Sequence, residues 1–227
     1  MYVPRAFAES DIPLLHQQMQ ATPLPVLVTH GSQGLVASHV PLLLNPDEGP
    51  NGTLYGHLAR ANPHWQALAQ GAEALVIFAG EQAYVSPSFY PSKAEDGKSV
   101  PTWNYLAVHA YGQAQVFDDA ERLLALVSRL SNKHEAGRAE PWSVSDAPRD
   151  YIDSMLKAIV GFSLPITRLN GKRKLSQHRS AAGQTGHAPR DQCREIACAH
   201  HVDPGGIGGE GVLANGAHVQ AKASPRE

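Results

Sequence analysis

The sequence predicts a β-rich α+β protein whose core is an antiparallel barrel or sandwich. Within the first sixty of its 227 residues, turn-forming sequences separate three segments with strand character: LPVLVTH, LVASHVPLLL and TLYGHLA. Strands that follow one another so closely favour antiparallel pairing over the βαβ units of a parallel sheet. Helical periodicity is confined to separate segments, so the helices are expected at the periphery of the barrel.

The first helix follows Ser10, which is the predicted N-cap of DIPLLHQQMQA. Pro13 fits the first turn of a helix, where its missing N–H is not needed. Ile12, Leu15 and Met19 recur at helical spacing and share one face. We therefore expect this helix to cover the barrel.

The second half of the chain predicts strands and helices in turn. Two buried strands, EALVIFAG and QAYVSPS, come first. The segment Thr102–Phe117 is too long for one flat strand and is apolar on both faces, which is typical of a strand covered by the barrel and by a second subunit. Asp118 and Asp119 cap an amphipathic helix, AERLLALVSRLSNKHE. A shorter helix starts near Pro148 or Arg149, and AIVGFSLPITRLN is the last predicted strand.

Composition limits the classes of function. Charged residues make up 18% of the chain and the formal net charge is −2, so no general basic field attracts nucleic acid. Both cysteines, Cys193 and Cys198, lie near the C-terminus, and no disulfide framework is implied. The N-terminal residues lack the apolar run of a signal peptide and no apolar stretch is long enough to span a bilayer, so the expected location is the cytoplasm.

The sequence changes character after Ala182. Residues 183–227 are rich in Gly, Ala and His and have no sustained period. We therefore expect one domain at residues 1–182, followed by an atypical, flexible tail. The tail contains ligand types that zinc prefers, but their spacing matches no compact zinc-finger signature, so no metal site is predicted. These residues are Cys193, Cys198, His200 and His201.

The corner between the third strand and the second helix has the composition of a phosphate site. Asn62 is the predicted N-cap and Pro63 the first helical residue. A helix N-terminus presents free N–H groups and the positive end of the helix dipole. His57, Arg60 and His64 lie close to it in sequence. The alternative is a solvated corner in which Arg60 pairs with a carboxylate.

An aromatic and proline-rich stretch, Ala83–Phe117, lies in a chain that is only 7% aromatic overall. Flat, rigid side chains mixed with serine, lysine and asparagine suit a planar phosphorylated ligand or a dimer contact. Residues 93–100, KAEDGKSV, are polar and form a candidate lid. The alternative is a loop packed against the β core. The aromatic residues of the stretch include Tyr84, Phe89, Tyr90, Trp103, Tyr105 and Tyr111.

Several long motifs resemble those of one protein family. SPSFYPSK, VPTWNYLAVHAYG, GHLARANPHW and KLSQHRS, together with MYVPRAF at the start, resemble the FMN-binding negative transcriptional regulators, also called the PaiB family. The resemblance covers roughly the first four fifths of the chain. It implies the FMN-binding split-barrel fold and a homodimer with the flavin phosphate at the subunit interface. It also implies a role as a negative transcriptional regulator, with DNA or a regulatory protein as a further partner.

The resemblance also implies where FMN binds. In split-barrel flavoproteins, basic and hydroxyl side chains at the second strand and just after the third hold the phosphate. Here histidines largely replace the arginine and lysine pairs that are usual in the pyridoxamine-phosphate-oxidase branch. A neutral imidazole carries no charge, so it holds phosphate less firmly near neutral pH. The candidate cofactor-binding residues are Ser38, His39, His57, Arg60, Asn62, His64, Lys93, Trp103 and Asn104.

Two alternatives to a flavin-binding regulator stay open. A flavin-dependent oxidoreductase needs few catalytic side chains, because the flavin carries the chemistry, and no catalytic residue can be assigned from the sequence. A heme-binding or heme-degrading split-barrel protein would use a histidine as the iron ligand. The basic segment GKRKLSQHR is open to four interpretations: contact with a bound phosphate, with a partner subunit, with DNA, or a solvated edge. The candidate iron ligands are His39, His57, His64 and His109.

Overall fold

The computed structural model describes residues 1–31, 34–89 and 100–177, and this part of the chain folds into two antiparallel sheets. The antiparallel, β-rich α+β architecture predicted from the sequence is confirmed. The described residues form these strands: β1 Ala8–Glu9, β2 Val26–Gly31, β3 Gly34–His39, β4 Leu43–Asn45, β5 Thr53–Ala59, β6 Glu73–Val85, β7 Thr102–Gln113, β8 Gln115–Phe117, β9 Ile159–Pro165 and β10 Arg168–Lys174.

The strands divide into a six-stranded sheet of order β1-β10-β7-β6-β2-β3 and a four-stranded sheet of order β4-β5-β9-β8. Short 3₁₀ turns lie at Arg5–Phe7, Pro87–Phe89 and Val144–Asp146. Four α-helices accompany the sheets in the described part of the chain. They are α1 Ile12–Ala21, α2 His64–Ala69, α3 Ala120–Glu135 and α4 Arg149–Lys157.

Side-chain caps start two of the helices. Asp11, rather than the predicted Ser10, caps α1, because its carboxylate accepts the Leu14 backbone N–H at 3.1 Å. Asp119 caps α3 as predicted and accepts the Arg122 backbone N–H at 2.8 Å. Each cap satisfies one of the free N–H groups at a helix start, which typically contributes about 1 kcal/mol.

The hydrophobic core lies between the two sheets. Burying a large apolar side chain contributes about 1.5–3 kcal/mol, so the inward rows of the sheets supply most of the core energy. α1 adds Leu15 and Met19 to this core, and α2 adds Leu68. The largest fully buried sheet residues are Leu27, Leu54, Val76, Phe78, Val108, Phe162 and Leu164.

α3 and α4 cover the four-stranded sheet on the side away from this core. The apolar stripe predicted for α3 is confirmed, because Leu123, Leu126 and Leu130 are buried. A side chain at Gly161 of β9 would collide with the ring of Phe117. The glycine therefore lets the end of β8 and the start of α3 lie close against the sheet.

Three strand predictions are wrong. LVASHVPLLL is divided between β3, which pairs with β2 in the six-stranded sheet, and β4, which pairs with β5 in the four-stranded sheet. EALVIFAG and QAYVSPS form a single strand, β6, which continues through an irregularity between Ala79 and Gln82. AIVGFSLPITRLN forms two strands, because β9 pairs with β5 in one sheet and β10 pairs with β7 in the other. β1 also pairs with β10 at Gly171 and Lys172. The start of the basic segment thus lies inside a sheet and not at a solvated edge.

Several predictions fall outside the described residues. The domain boundary at residue 182, the tail 183–227 with its cysteines, and nearly all of the candidate lid are among them. Within the described ranges, no helix combines the length and the apolar character that crossing a membrane requires. The same ranges contain no group of three His, Cys, Asp or Glu side chains placed to hold a metal ion.

Candidate functional site

A closed polar network fills the corner that the sequence marks as a phosphate site. His64, the first residue of α2, is only 1% exposed. Its Nε2 lies 2.9 Å from Thr29 Oγ1 on β2, and its Nδ1 lies 2.9 Å from Ser38 Oγ on β3. Asn62 donates from Nδ2 to Ser38 Oγ at 3.2 Å and accepts the His64 backbone N–H on Oδ1 at 3.0 Å. The network ties α2 to two strands.

This network occupies the groups that would otherwise face a ligand. Burial lowers the pKa of His64, so the ring stays neutral near neutral pH. A phosphate would have to displace Thr29 or Ser38 to reach the imidazole, and a buried hydroxyl left without a partner costs about 1–3 kcal/mol. Asn62 also occupies the first N–H of α2. His64 therefore has a structural role: its buried ring links α2 to β2 and β3.

Arg60 holds the turn between α4 and β9. Its Nε donates to the Lys157 carbonyl at 3.0 Å and its Nη2 to the Ile159 carbonyl at 3.2 Å. Nη2 also lies 3.6 Å from the Asp118 carboxylate, and 42% of the arginine side chain stays exposed. The carboxylate pairing that the sequence left open is present. An anionic ligand can still reach the exposed part of the guanidinium.

His57 and His39 lie on faces that the network does not share. His57 is on β5, two residues from Tyr55, which packs against α3. Its Nδ1 is buried without a hydrogen-bond partner, and burial lowers the pKa of His57. His39 is exposed on β3, where strand alternation points it away from the core side occupied by Ser38. The structure thus brings Ser38, Asn62 and His64 together and separates His57 from them.

The outer face, defined here as the face of the six-stranded sheet that points away from the core, is largely apolar. Its residues on β2, β6 and β7 alternate with fully buried core residues and are mostly half-buried. α1 and α2 pack on the core side of this sheet, and α3 and α4 pack on the other sheet. The half-buried apolar members of the outer face include Val26, Val28, Leu75, Ile77, Ala107 and Tyr111.

One row of directly opposed residues crosses the outer face. The register pairs His39 with Val26, Val26 with Ile77, Ile77 with His109, and His109 with Asn170. Directly opposed residues point to the same face, and neighbouring strands lie about 4.8 Å apart. His39 and His109 are therefore about 14 Å apart along the row.

His109 is half-buried in this row, and its Nδ1 is buried without a hydrogen-bond partner. Its ring lies 6.3 Å from the ring of Tyr111. The N-terminal ammonium of Met1 donates to Tyr111 Oη at 3.2 Å. Burial and, to a lesser degree, this ammonium lower the pKa of His109. The outer face thus contains a neutral imidazole whose hydrogen-bonding capacity is only partly used.

An aromatic pair is exposed where β6 and β7 extend beyond the bulge. Tyr84 and Trp103 are directly opposed, with ring centroids 5.8 Å apart, and are 51% and 52% exposed. Asn104 is buried instead and accepts a hydrogen bond from Ser176 Oγ at 2.9 Å. Trp103 is therefore open to a ligand, whereas Asn104 fastens the turn after β10. Lys93 lies outside the described residues.

The basic side chains of β10 have partners within the chain. Lys172 is buried and donates to the Tyr2 carbonyl at 3.1 Å. Arg173 lies 3.8 Å from the Glu9 carboxylate, and Lys174 contacts the start of β7. These contacts tie β10 to its neighbours. They favour a structural role for this part of the basic segment over a phosphate contact with DNA.

Two residues carry little signal in the sequence: Lys172 on the outer face and Ser176 in the turn after β10. The alternation of Asn170, Lys172 and Lys174 along β10 is a strand signal, but it does not show that Lys172 is buried. Ser176 has a φ of 64°, the left-handed region that favours glycine. No local motif marks this conformation, because the turn after β10 imposes it.

The chain matches a known protein family. Residues 1–168 match the family described as “Putative FMN-binding domain”. An uncharacterized protein of Aspergillus fumigatus is 37% identical over 231 residues, which cover 82% of this chain and 88% of the relative. Protease synthase and sporulation protein PAI 2 of Bacillus subtilis is 32% identical over 180 residues, which cover 79% of this chain and 84% of that protein.

Solved structures share the fold. The FAD and heme binding protein of Mycobacterium smegmatis has a TM-score of 0.55 at 20% identity, covering 74% of this chain and 73% of that protein. The flavocytochrome Anf3 of Azotobacter vinelandii has a TM-score of 0.55 at 13% identity, covering 100% of this chain and 92% of that protein. Identity this low shows a common fold alone. The family match over residues 1–168 and the similarity to PAI 2 show that the chain belongs to the PaiB family of FMN-binding split-barrel proteins, and the solved structures agree with this fold.

Proposed function

We propose that this protein acts as a homodimer that binds FMN where the outer faces of two copies meet. The observation that carries the proposal is the outer face, whose apolar residues on β2, β6 and β7 are half-buried and face away from all four described helices. A second copy suits this face, because a twofold contact sets the same apolar strands against each other. Light scattering should give about twice the chain mass of 24.4 kDa, and a stable monomer would contradict the dimer.

The residues at the outer face fit a flavin. Its apolar strands offer a flat surface for the ring system, and His109 offers a hydrogen-bonding group with unused capacity. Bound FMN would supply redox chemistry. The chain would hold and orient the flavin and exclude water from it. His39 and the exposed part of Arg60 would meet the phosphate, while the network around His64 fixes the strands and helix behind them.

Flavin titrations test this assignment. FMN should quench its fluorescence on binding, with a Kd in the micromolar range, about −8 kcal/mol. His39 is exposed and its ring has no hydrogen-bond partner among the described residues, so His39→Ala should leave the fold intact and weaken FMN more than riboflavin. Arg60→Ala should weaken FMN too and also lower the melting temperature, because Arg60 holds two carbonyl groups.

A matched control separates the two roles of Arg60. Asp118→Asn removes the carboxylate partner of Arg60 but keeps the guanidinium and its two carbonyl contacts. It should leave FMN affinity unchanged or slightly raised, because the positive charge is then less compensated. Equal losses of FMN and riboflavin in Arg60→Ala would mean that Arg60 supports the structure and not the phosphate.

We propose that the protein regulates transcription through a protein partner rather than by holding DNA itself. The net charge of −2 and the internal contacts of Lys172 and Arg173 support this route. The similarity to a relative whose name includes sporulation agrees with a regulatory role. Upstream DNA should show no shift in a binding gel. A shift that disappears steeply with added salt would contradict the indirect route.

Heme binding is a second candidate function, and the position of His109 favours it. An imidazole on an apolar surface is a usual axial ligand of heme iron, and two structural neighbours bear names that refer to heme or to a flavocytochrome. Hemin should then produce a Soret band that His109→Ala abolishes and His57→Ala retains. Hemin that gives no Soret shift with the wild-type chain would remove this candidate.

A further inference from the structure

His109 lies on the outer face, and its buried Nδ1 has no hydrogen-bond partner. His64 binds Thr29 and Ser38 through both of its ring nitrogens. His57 also has an unpartnered Nδ1, but it lies on the face that α3 covers. Buried polar atoms are rarely left without a partner. No described helix covers the face of His109, although Met1 reaches the neighbouring Tyr111, and a ligand on this face would contact the imidazole ring.

The surroundings of His109 decide which ring nitrogen carries the proton. Burial and the N-terminal ammonium lower its pKa, so the ring is neutral near neutral pH and has a single N–H. A proton on Nδ1 would bury an N–H without an acceptor, which proteins avoid more strictly than a bare acceptor. Nε2 is not among the buried, unpartnered atoms. The proton therefore lies on Nε2, and the ring presents one donor.

Small side chains beside His109 leave room for a flat ring. Ala79 of β6 and Ala107 of β7 are directly opposed in the next row of the same face. Lys172 of β10 is opposed to Ala107, and its ammonium lies 5.1 Å from the centroid of the Tyr105 ring. The alanine pair is thus bordered by a neutral N–H donor on one side and, on the other, by a buried ammonium that donates to the Tyr2 carbonyl. Such a border suits a planar heteroaromatic ring with acceptor atoms along its edge.

The length of the row also suits FMN. Three strand spacings separate His39 on β3 from His109 on β7, which is about 14 Å. A ribityl chain with its phosphate ester spans about 8 Å at ordinary bond lengths, and the ring system adds about 5 Å beyond its point of attachment. A flavin that contacts His109 with its ring can therefore place its phosphate near His39.

We propose that His109 recognises the flavin ring by donating its Nε2–H to a ring acceptor. The ring rests against Ala79 and Ala107, and His39 faces the phosphate at the other end of the row. The inference rests on the proposed function, because it assigns residues within the same FMN site. It separates ring recognition from phosphate recognition. The two can therefore be measured independently with two flavins.

Riboflavin and FMN are titrated into the full chain and three variants, with flavin fluorescence as the signal. His109→Phe keeps a ring but has no donor, and should weaken both flavins by the same factor of about 3–10, the worth of one net hydrogen bond. His109→Gln keeps an N–H donor and should restore most of the affinity. His39→Ala should weaken FMN and leave riboflavin unchanged.

Each other outcome argues against the inference. Riboflavin affinity that is equal in His109→Phe and wild type would overturn it, while FMN binding itself would survive. A wild-type chain that binds neither flavin would refute the proposed function and the inference with it. Light scattering and the melting temperature of each variant report assembly and folding. Affinity that His109→Phe loses and His109→Gln does not restore would assign His109 a packing role instead.

Discussion

Replacing His64 by alanine removes the centre of the network that joins α2 to β2 and β3. The substitution deletes two ring contacts, one to Thr29 Oγ1 and one to Ser38 Oγ, each 2.9 Å long. Ser38 keeps its contact with Asn62. Thr29 is 1% exposed, and its hydroxyl would face neither water nor the imidazole. The corner would therefore lose both a buried polar partner and a buried ring.

The expected cost follows from these two losses. A buried hydroxyl left without its partner costs about 1–3 kcal/mol. Removing most of a fully buried side chain costs about 2–5 kcal/mol in comparable core substitutions. Because the two terms overlap, His64→Ala should lower the free energy of unfolding by about 3–6 kcal/mol. At about 2–4 °C per kcal/mol for a domain of this size, the melting temperature should fall by about 6–24 °C.

Urea unfolding followed by tryptophan fluorescence measures this cost. Thr29→Val serves as the matched variant, because it removes the hydroxyl and keeps the branched shape. A double-mutant cycle of Thr29→Val and His64→Ala should give a coupling energy of about 0.5–3 kcal/mol, as expected for residues in contact. A loss below about 1 kcal/mol for His64→Ala, or a coupling energy near zero, would show that the network does not hold the corner together.

Two further predictions concern acidity and the turn after β10. Burial lowers the folded-state pKa of His57, His64 and His109 below 6.5. Their contribution to stability is therefore complete above about pH 6.5 and is lost as the pH falls below it. The urea midpoint should drop between pH 7.5 and 5.5, and an unchanged midpoint would contradict the burial of all three. Asn104→Ala should cost about 1–3 kcal/mol because it leaves the buried Ser176 hydroxyl without an acceptor. Ser176→Gly also leaves the buried Asn104 oxygen without its donor, but glycine relieves the left-handed backbone, so this variant should cost less than Asn104→Ala. Thermal unfolding that ranks the two variants in the opposite order would argue against this.

Sequence patterns correctly predicted the helix and strand features that depend on residues close together in the chain. The apolar stripe of Leu123, Leu126 and Leu130 and the cap at Asp119 involve residues within a few turns of one helix, and the structure confirms them. Pro13 lies in the first turn of α1 for the same reason. Strand content was also predictable, because alternation and turn residues act over short distances.

Predictions failed where the partner lies far along the chain. Alternation in AIVGFSLPITRLN does not say that its first half pairs with β5 and its second half with β7. The sequence places His64 at a candidate phosphate site, but only the fold shows that its ring is buried and bonded to Thr29 and Ser38. For Arg60 the sequence left open a phosphate contact and a carboxylate pairing, but no local pattern shows that its guanidinium also reaches carbonyl groups that lie almost 100 positions later.

By itself, the sequence determined the antiparallel β-rich fold, the cap and apolar stripe of α3, and the similarity to FMN-binding proteins. The predicted caps of α1 and α2 are each displaced by one residue, to Asp11 and Pro63. Only the tertiary structure decided that His39 and His109 share one row, since that row depends on the register of four strands. Register is set by many weak contacts between distant segments, and a shift by one residue would turn each side chain to the opposite face. Local patterns along the chain therefore predict strands and helices, whereas the neighbours of each side chain on a sheet face are fixed only when the strands pair.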